Sequence, residues 1–395
     1  MKNQTELLAV AKQIETEVLA PMKQSFVGKD EVINLLGVSL VAKENLFILG
    51  PPGTAKSALV QAMARRIEGN VFDYLLTRFT EPNEIFGPFD IRQLREGNLV
   101  TNTEGMLPEA TFVFLDELLN ANSAILNSLL MALNERIFRR GRETVRLPTL
   151  MVVGASNNLP EDEALRALFD RFLLRVNCVN VPDESLSEVL MAGWRLEKQE
   201  EKAPTITVSQ IEAVQQLVNQ VDFDDVTQPY VELVSRLRSA GINISDRRSV
   251  KLQRVIAASA ILSRRMKVFV SDLWVLRYIW DTVEQQEILN TLVDKAIENC
   301  QGDENERHPL STQHKRPDPE KLAADLDQII DRLSASEVAD VEESQARDQL
   351  AIIAENVQWV ADQMKREQLQ KTIDQAWSKL EPPPVTPDNS KPDLQ

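Results

Sequence analysis

The sequence predicts an α/β domain built on a mainly parallel sheet, followed by an all-helical domain and a small helical appendage. Three observations carry this. Five short apolar runs stand before about residue 180, separated by amphipathic stretches. The strand signal then stops and only helical spacing continues. A polar, proline-containing stretch from Gln301 then sets off a last helical section. With 43% hydrophobic and 26% charged residues among 395, the chain has ordinary globular composition and enough length for two or three domains.

Taken in order, residues 1–24 read as an N-terminal helix. The runs ENLFILG, NVFDYLL, ATFVFLDE, TLMVVGAS and FLLRVNCV are four to six apolar residues bounded by Gly, Asn, Asp or charge, the pattern of strands buried on both faces. They place the first domain over 1–180. From 181 to 300, segments such as TVSQIEAVQQLVNQV and SDRRSVKLQRVIAASAILSRR start near Ser, Thr, Asp or Pro and space their apolar residues helically. Residues 301–320 read as a linker. Over 321–380, Leu322, Leu326, Ile329 and Leu333 mark one amphipathic helix, and Leu350, Ile353, Val357, Val360 and Met364 another. They predict a helical hairpin, with a docking or oligomerising element as the alternative. The tail 381–395 is Pro-rich and expected to be disordered.

Charge and composition remove several functions. The formal net charge is −16, and residues 301–395 hold 20 acidic against 11 basic residues. Such a chain repels polyphosphate, so nucleic-acid binding would need a local basic patch. Two cysteines, Cys178 and Cys300, fit a reducing compartment. With only His308 and His314 as histidines, any metal must be held by oxygen ligands. The N-terminal residues lack an apolar signal region, and no run of about 18 apolar residues occurs. A cytosolic protein without a membrane span is expected.

The chemistry is concentrated in three strand ends. Gly50-Pro51-Pro52-Gly53-Thr54-Ala55-Lys56-Ser57 follows the strand NLFIL and opens a helix at Ala58 and beyond, the context a phosphate-binding loop requires. Its backbone N–H groups would cradle phosphate, Lys56 would reach the β and γ phosphates, and Ser57 would bind Mg²⁺. Ala55 stands where glycine is usual, and its methyl is tolerated only if that residue does not need positive φ. About 60 residues on, the strand TFVFL runs into Asp116 and Glu117. Asp116 can hold a Mg²⁺-bound water, and Glu117 can polarise the water that attacks the γ-phosphate. The strand MVVGAS ends in Asn157 and Asn158, either of which could orient that water. Arg171 in ALFDRF could reach a phosphate bound by a neighbouring subunit, with an intrachain pair as the alternative. Two arginines, Arg247 and Arg248, sit in a first helical turn behind Ser245, opposing the helix dipole unless an anion is near. ATP hydrolysis is the expectation.

In this order the motifs resemble those of AAA+ ATPases of the MoxR family, most of all its RavA-type branch. The resemblance covers roughly residues 22–290 and rests on SFVGKDEV, GPPGTAKS, LLTRFTEPNEIFGP, MLPEATFVFLDE, ILNSLLMALNERIFRRG, VVGASNNLPE, ALFDRF and ISDRRSVKLQR. It implies a P-loop NTPase αβα domain with an all-α lid, using ATP and Mg²⁺. Lys56 and Ser57 match the Walker A residues, and Asp116 and Glu117 the Walker B acids. Asn157 matches sensor 1, with Asn158 one place away. Arg171 matches the arginine finger, with Arg166 close by, and Arg247 matches sensor 2, with Arg248 beside it. Val27 and Gly28 fall where backbone meets adenine. The resemblance also implies hexameric rings and two insertions, one at PFDIRQLREGNLVTNTEGML and one at the hairpin RIFRRGRETVRLP.

That hairpin carries Arg136, Arg139, Arg140, Arg142 and Arg146, a basic patch read as a solvated edge or as a contact for an acidic client or nucleic acid. The leading functional reading is a chaperone-like motor that remodels a protein client or helps insert a metal or cofactor. A von Willebrand A domain protein is expected as its partner in trans. A nucleic-acid motor and a magnesium-chelatase-like subunit are the alternatives, the first weakened by the net charge and the 5% aromatic content.

Overall fold

Helix α1 (Lys2–Gln13) passes through one turn of π-helix over Ile14–Leu19 into α2 (Ala20–Ser25). The computed structural model describes residues 2–96, 99–140, 143–160, 162–182, 185–198, 204–298 and 308–312. In the C-terminal section it describes 322–323, 326–327, 329–330, 350, 353–354, 357 and 363–380. Next come α3 (Asp30–Ala42), β1 (Leu46–Leu49), α4 (Lys56–Arg66), β2 (Val71–Leu75), and the short α5 (Pro82–Phe86) and α6 (Ile91–Arg95). Then follow β3 (Phe112–Asp116), α7 (Ser123–Glu135), the hairpin strands β4 (Ile137–Arg140) and β5 (Glu143–Arg146), β6 (Met151–Ser156), α8 (Glu163–Phe169) and β7 (Leu174–Asn177).

The five apolar runs form one parallel sheet in the order β2-β3-β6-β1-β7. Every residue of β6 is buried and so are Phe112 to Leu115 of β3, because helices cover both faces. The register sets Leu49 beside Ser156 and Leu115 beside Gly154, so β1, β3 and β6 end together at one edge. Local chemistry fixes where the helices start. The Asn122 side chain accepts from Ile125 N–H at the head of α7, and Asp162 accepts from Leu165 N–H at the head of α8. Helix α3 is apolar nearly all round, with every residue from Val32 to Ala42 buried, because it lies between sheet and lid.

The second domain is all helical. It comprises α9 (Leu186–Lys198), α10 (Val208–Leu217), α11 (Asp224–Ser239), α12 (Asp246–Leu262), a 3₁₀ stretch over Val270–Tyr278 and α13 (Glu284–Glu298). Thr207 and Gln210 form a reciprocal capping box on α10, and Ser245 caps α12 as its sequence suggests. One fully buried side chain joins lid and sheet. Arg175 of β7 donates to the carbonyls of Ile279 and Trp280 and pairs with Asp281, which Arg248 also contacts. Asp170 approaches Arg175 at 3.7 Å. Burial first, and the neighbouring Arg248 second, push the Arg175 pKa down to about 9.

Residues Met1–Ser311 form one compact unit and Thr312–Gln395 another. The expected linker over 301–320 differs from what is found at 308–311. His308 is buried and stacks on Trp274, and the Arg277 guanidinium donates to the Ser311 carbonyl. A lone His and Leu in polar text carry no periodic apolar signal, so this docking was not legible. In the second unit, Leu322, Leu326, Ile329, Leu350, Ile353 and Val357 share a core with Leu369, Ile373 and Ala376 of α14 (Gln363–Leu380). That helix extends well beyond the two stripes read from the sequence, and Met364 stands within it. Leu333, Val360 and the tail 381–395 lie outside the described residues.

Candidate nucleotide site

The loop after β1 is held by the strands on either side. Gly50 N–H donates to the Ser156 carbonyl, and Cys178 N–H to Leu49. A Cβ on Gly50 would stand 2.0 Å from the Cys178 carbonyl oxygen, so only glycine fits there. Gly53 takes φ +82° with open space where a side chain would lie. Thr54 turns inward and donates to the Pro51 carbonyl, leaving Pro51, Pro52 and Gly53 exposed. Helix α4 then begins at Lys56, with Ser57 and Ala58 half-buried in its first turn.

Ala55 departs from the sequence-based condition. It adopts φ +67°, so the position does take a left-handed backbone and the methyl sits there under strain. A non-glycine residue in that region costs about 1–2 kcal/mol. Ala55→Gly should therefore stabilise the fold, by about 0.5–1 kcal/mol once glycine's extra unfolded-state entropy is offset. Urea unfolding of the two proteins measures this, and a less stable glycine variant would show that the methyl packs productively.

Three strand ends converge on Lys56. Lys56 is only 6% exposed, and its ammonium donates to the Gly50 and Pro51 carbonyls at 2.7 and 3.0 Å and reaches Asn157 Oδ1 at 3.4 Å. Asn157 Nδ2 in turn donates to Glu117 Oε1. Glu117 has φ +49°, a second strained residue, and this kink turns it off the end of β3. Its other oxygen accepts from Asn120 at 3.4 Å. Burial, then the adjacent Asp116, hold the Glu117 carboxyl above the usual carboxylate pKa, with Lys56 opposing. Asp116 accepts from Glu117 N–H. Asn158 is exposed and only its backbone N–H engages Ser156, so the geometry joins Asn157, not Asn158, to this cluster.

The predicted arginines lie elsewhere. Arg171 and Arg247 line a separate cleft of about 160 Å³ with Asn134, Asp170, Arg248 and Lys251. Arg171 precedes the N-terminal end of β7, whereas Lys56, Glu117 and Asn157 follow the C-terminal ends of β1, β3 and β6. In a parallel sheet these are opposite edges, a strand length of roughly 13 Å apart at about 3.3 Å per residue. Arg171 forms no ion pair among the described residues, and its Nε is buried without a partner. Asp170, its sequence-suggested mate, faces Arg175 instead. Arg247 is exposed, while Arg248 is committed to Asp281 and to the Asn243 and Ile279 carbonyls. Arg166 is exposed on α8.

Gly28 takes φ +69°, and a Cβ there would meet Val181 at 2.9 Å, so Val27 and Gly28 run close against the segment after β7. Two residues were missed by sequence reasoning. Asn120 lies three places after Glu117 on the same turn, a spacing that could have been read. Asn45, 2% exposed, donates to the Arg171 carbonyl at 3.1 Å and accepts from Arg136; only the fold joins these three. The expected basic hairpin is also divided. Arg136 turns inward to Asn45, and burial lowers its pKa to about 10. Arg139 is exposed, and Arg146 faces Lys43 and Arg254 across another cavity. The Arg140 side chain and residue 142 lie outside the described residues.

The loop fits a polyphosphate: a buried ammonium, a helix start and an open, side-chain-free face coincide there. Ser57 and Asp116 fit Mg²⁺ as oxygen ligands, directly and through water. Among the described residues, no helix is long and apolar enough to cross a membrane.

Comparison with known proteins gives the family and the fold. Residues 12–216 match the family described as the MoxR domain in the MoxR-vWA-beta-propeller ternary systems, and 223–293 match an AAA lid domain. An uncharacterized protein of Methanocaldococcus jannaschii is 36% identical over 270 residues, 68% of this chain and 70% of its own. Chaperone MoxR1 of Mycobacterium tuberculosis is 29% identical over 173 residues, 43% of this chain and 45% of its own. A solved structure of a proposed ATPase from Cytophaga hutchinsonii shares the fold, with a TM-score of 0.60 at 20% identity, over 73% of this chain and 96% of that one. With a parallel sheet, a phosphate loop and a helical lid in place, and a family match over more than half its length, the chain belongs to the MoxR family of AAA+ ATPases.

Proposed function

We propose that this chain hydrolyses ATP to ADP and phosphate in a ring of like subunits and uses the turnover to remodel a protein client. The observation that carries the reading is the chain of contacts from Lys56 through Asn157 to Glu117. It sets a cation for the β and γ phosphates and a carboxylate for the attacking water on either side of one amide. Glu117 takes the proton of that water as its oxygen bonds to the γ-phosphorus and the bond to the bridging oxygen breaks. Asn157 and Asn120 hold the carboxylate in place. Mg²⁺, held by Ser57 and Asp116, supplies charge neutralisation when bound.

The ring reading is supported by where the arginines stand. Arg171 and Arg247 share a cleft away from their own phosphate loop, which suits them to the nucleotide of a neighbour. Leu186, Leu190, Met191 and Trp194 form an exposed apolar stripe on α9, the kind of surface that association covers. Six subunits, a cytoplasmic setting and a von Willebrand A domain partner complete the proposal. The partner is supported by the description of the matching family, and the chaperone role by the name of the mycobacterial relative. The divided arginine hairpin gives a nucleic-acid motor no added support.

Lys56→Ala tests the site. Titration with a fluorescent ADP analogue should show affinity falling about 10- to 100-fold, the loss of charge-assisted contacts worth about 1.5–3 kcal/mol. Unchanged binding would remove the loop from the mechanism.

A further inference from the structure

A second cavity, of about 450 Å³, lies between α1–α2, α3, the end of α12 and the segment at His308. It shares no residue with the nucleotide cluster, and its size is that of a small-molecule site, roughly 300–1,000 Å³. Three departures from ordinary structure meet on its wall. Asn34, a polar residue only 5% exposed, lines the cavity. Arg264, a bulky residue, is held at φ +61°. Glu15, Thr16 and Leu19 belong to the π-helical turn, a rare form that concentrates at functional sites. Such costs are retained where a ligand uses the groups involved.

The chemistry of the lining is consistent. His308, 6% exposed, accepts at Nδ1 from Leu310 N–H, which leaves the proton on Nε2 as a donor with no described partner. Burial lowers the His308 pKa to about 4, so the ring is neutral at physiological pH. Lys23 is paired with Glu15, and Arg265 with Asp272. Lys12 and Arg264 are exposed at the rim and unpaired among the described residues. In a chain of net charge −16 this is a local excess of cation. Leu19, Val38 and Trp274 supply an apolar floor.

We infer that this cavity binds a small organic anion, with its acidic head at Lys12 and Arg264 and its apolar body over Trp274, hydrogen-bonded by Asn34 and His308. Because the walls come from the N-terminal helices, the α/β domain and the lid, an occupant ties the three together.

Anilinonaphthalene sulfonate, an organic anion of this class, is the probe, titrated into the full chain with saturating Mg–ADP to block the phosphate loop. One saturable dye per chain is expected, bound equally by the Lys56→Ala variant. The double variant Lys12→Ala/Arg264→Ala, altered only at exposed positions, should bind about tenfold more weakly. Asn34→Leu should bind the dye up to about tenfold more weakly while the chain still unfolds cooperatively, since it removes one hydrogen-bonding amide from the cavity wall. Non-saturable binding, or binding indifferent to these substitutions, would overturn the inference. Equal displacement of the dye by millimolar inorganic phosphate would show that the site reads a bare anion, and the organic class would be wrong.

Discussion

Replacing Arg171 by Ala is expected to lower the ATP turnover number by about 10³–10⁵-fold, the range for an arginine finger, while each subunit still binds nucleotide. The topology is the reason. A parallel sheet separates Arg171 from the phosphate loop of its own chain, and no acid in the described chain neutralises it. In the proposed ring its guanidinium therefore meets the developing charge on a phosphate bound next door. Specific activity should rise with protein concentration and be poisoned by mixing in the variant. A flat rate, indifferent to mixing, would mean that Arg171 serves only its own fold.

Glu117→Gln should cost about 10²–10⁴ in turnover and leave nucleotide affinity intact. Glutamine keeps the shape and can still accept from Asn157 through its carbonyl oxygen, but it cannot take a proton from water. The wild-type pH profile offers a second check. Burial and Asp116 raise the Glu117 pKa, so the base becomes protonated at a higher pH than an ordinary carboxylate would. The acid limb of the wild-type rate should lie correspondingly above the usual carboxylate range and be absent from the residual activity of the variant. A variant that hydrolyses ATP normally would remove Glu117 from the role of base.

Much of this was legible because it is written in contiguous residues. A strand running into Gly50-Pro51-Pro52-Gly53, and another running into Asp116-Glu117, declare themselves by local pattern, and the five parallel strands follow from short apolar runs. The choice between Asn157 and Asn158 was not legible, since one residue of register in a loop decides which amide faces Lys56. The Ala55 backbone was illegible for the opposite reason: local sterics argue against positive φ, and the packed loop imposes it. Charge patterns misled most. Five arginines in one hairpin looked like a patch, but Arg136 is drawn inward by Asn45, 91 positions away in sequence. Nothing in the order of residues marks the π-turn or the docking of His308.

The buried guanidinium of Arg175 has a mechanical consequence. Bending the lid away from the sheet would pull this buried guanidinium from Asp281, and breaking such a pair costs at most about 3–5 kcal/mol. Thermal energy does not flex such a joint freely, so β7 and the lid behave as one stiff lever. Arg171 stands at the root of that lever, and Arg248, tied to the same Asp281, clamps its far arm. In a ring, a push delivered by a neighbour's nucleotide would therefore swing the whole protomer, and the work would leave the machine as displacement between protomers.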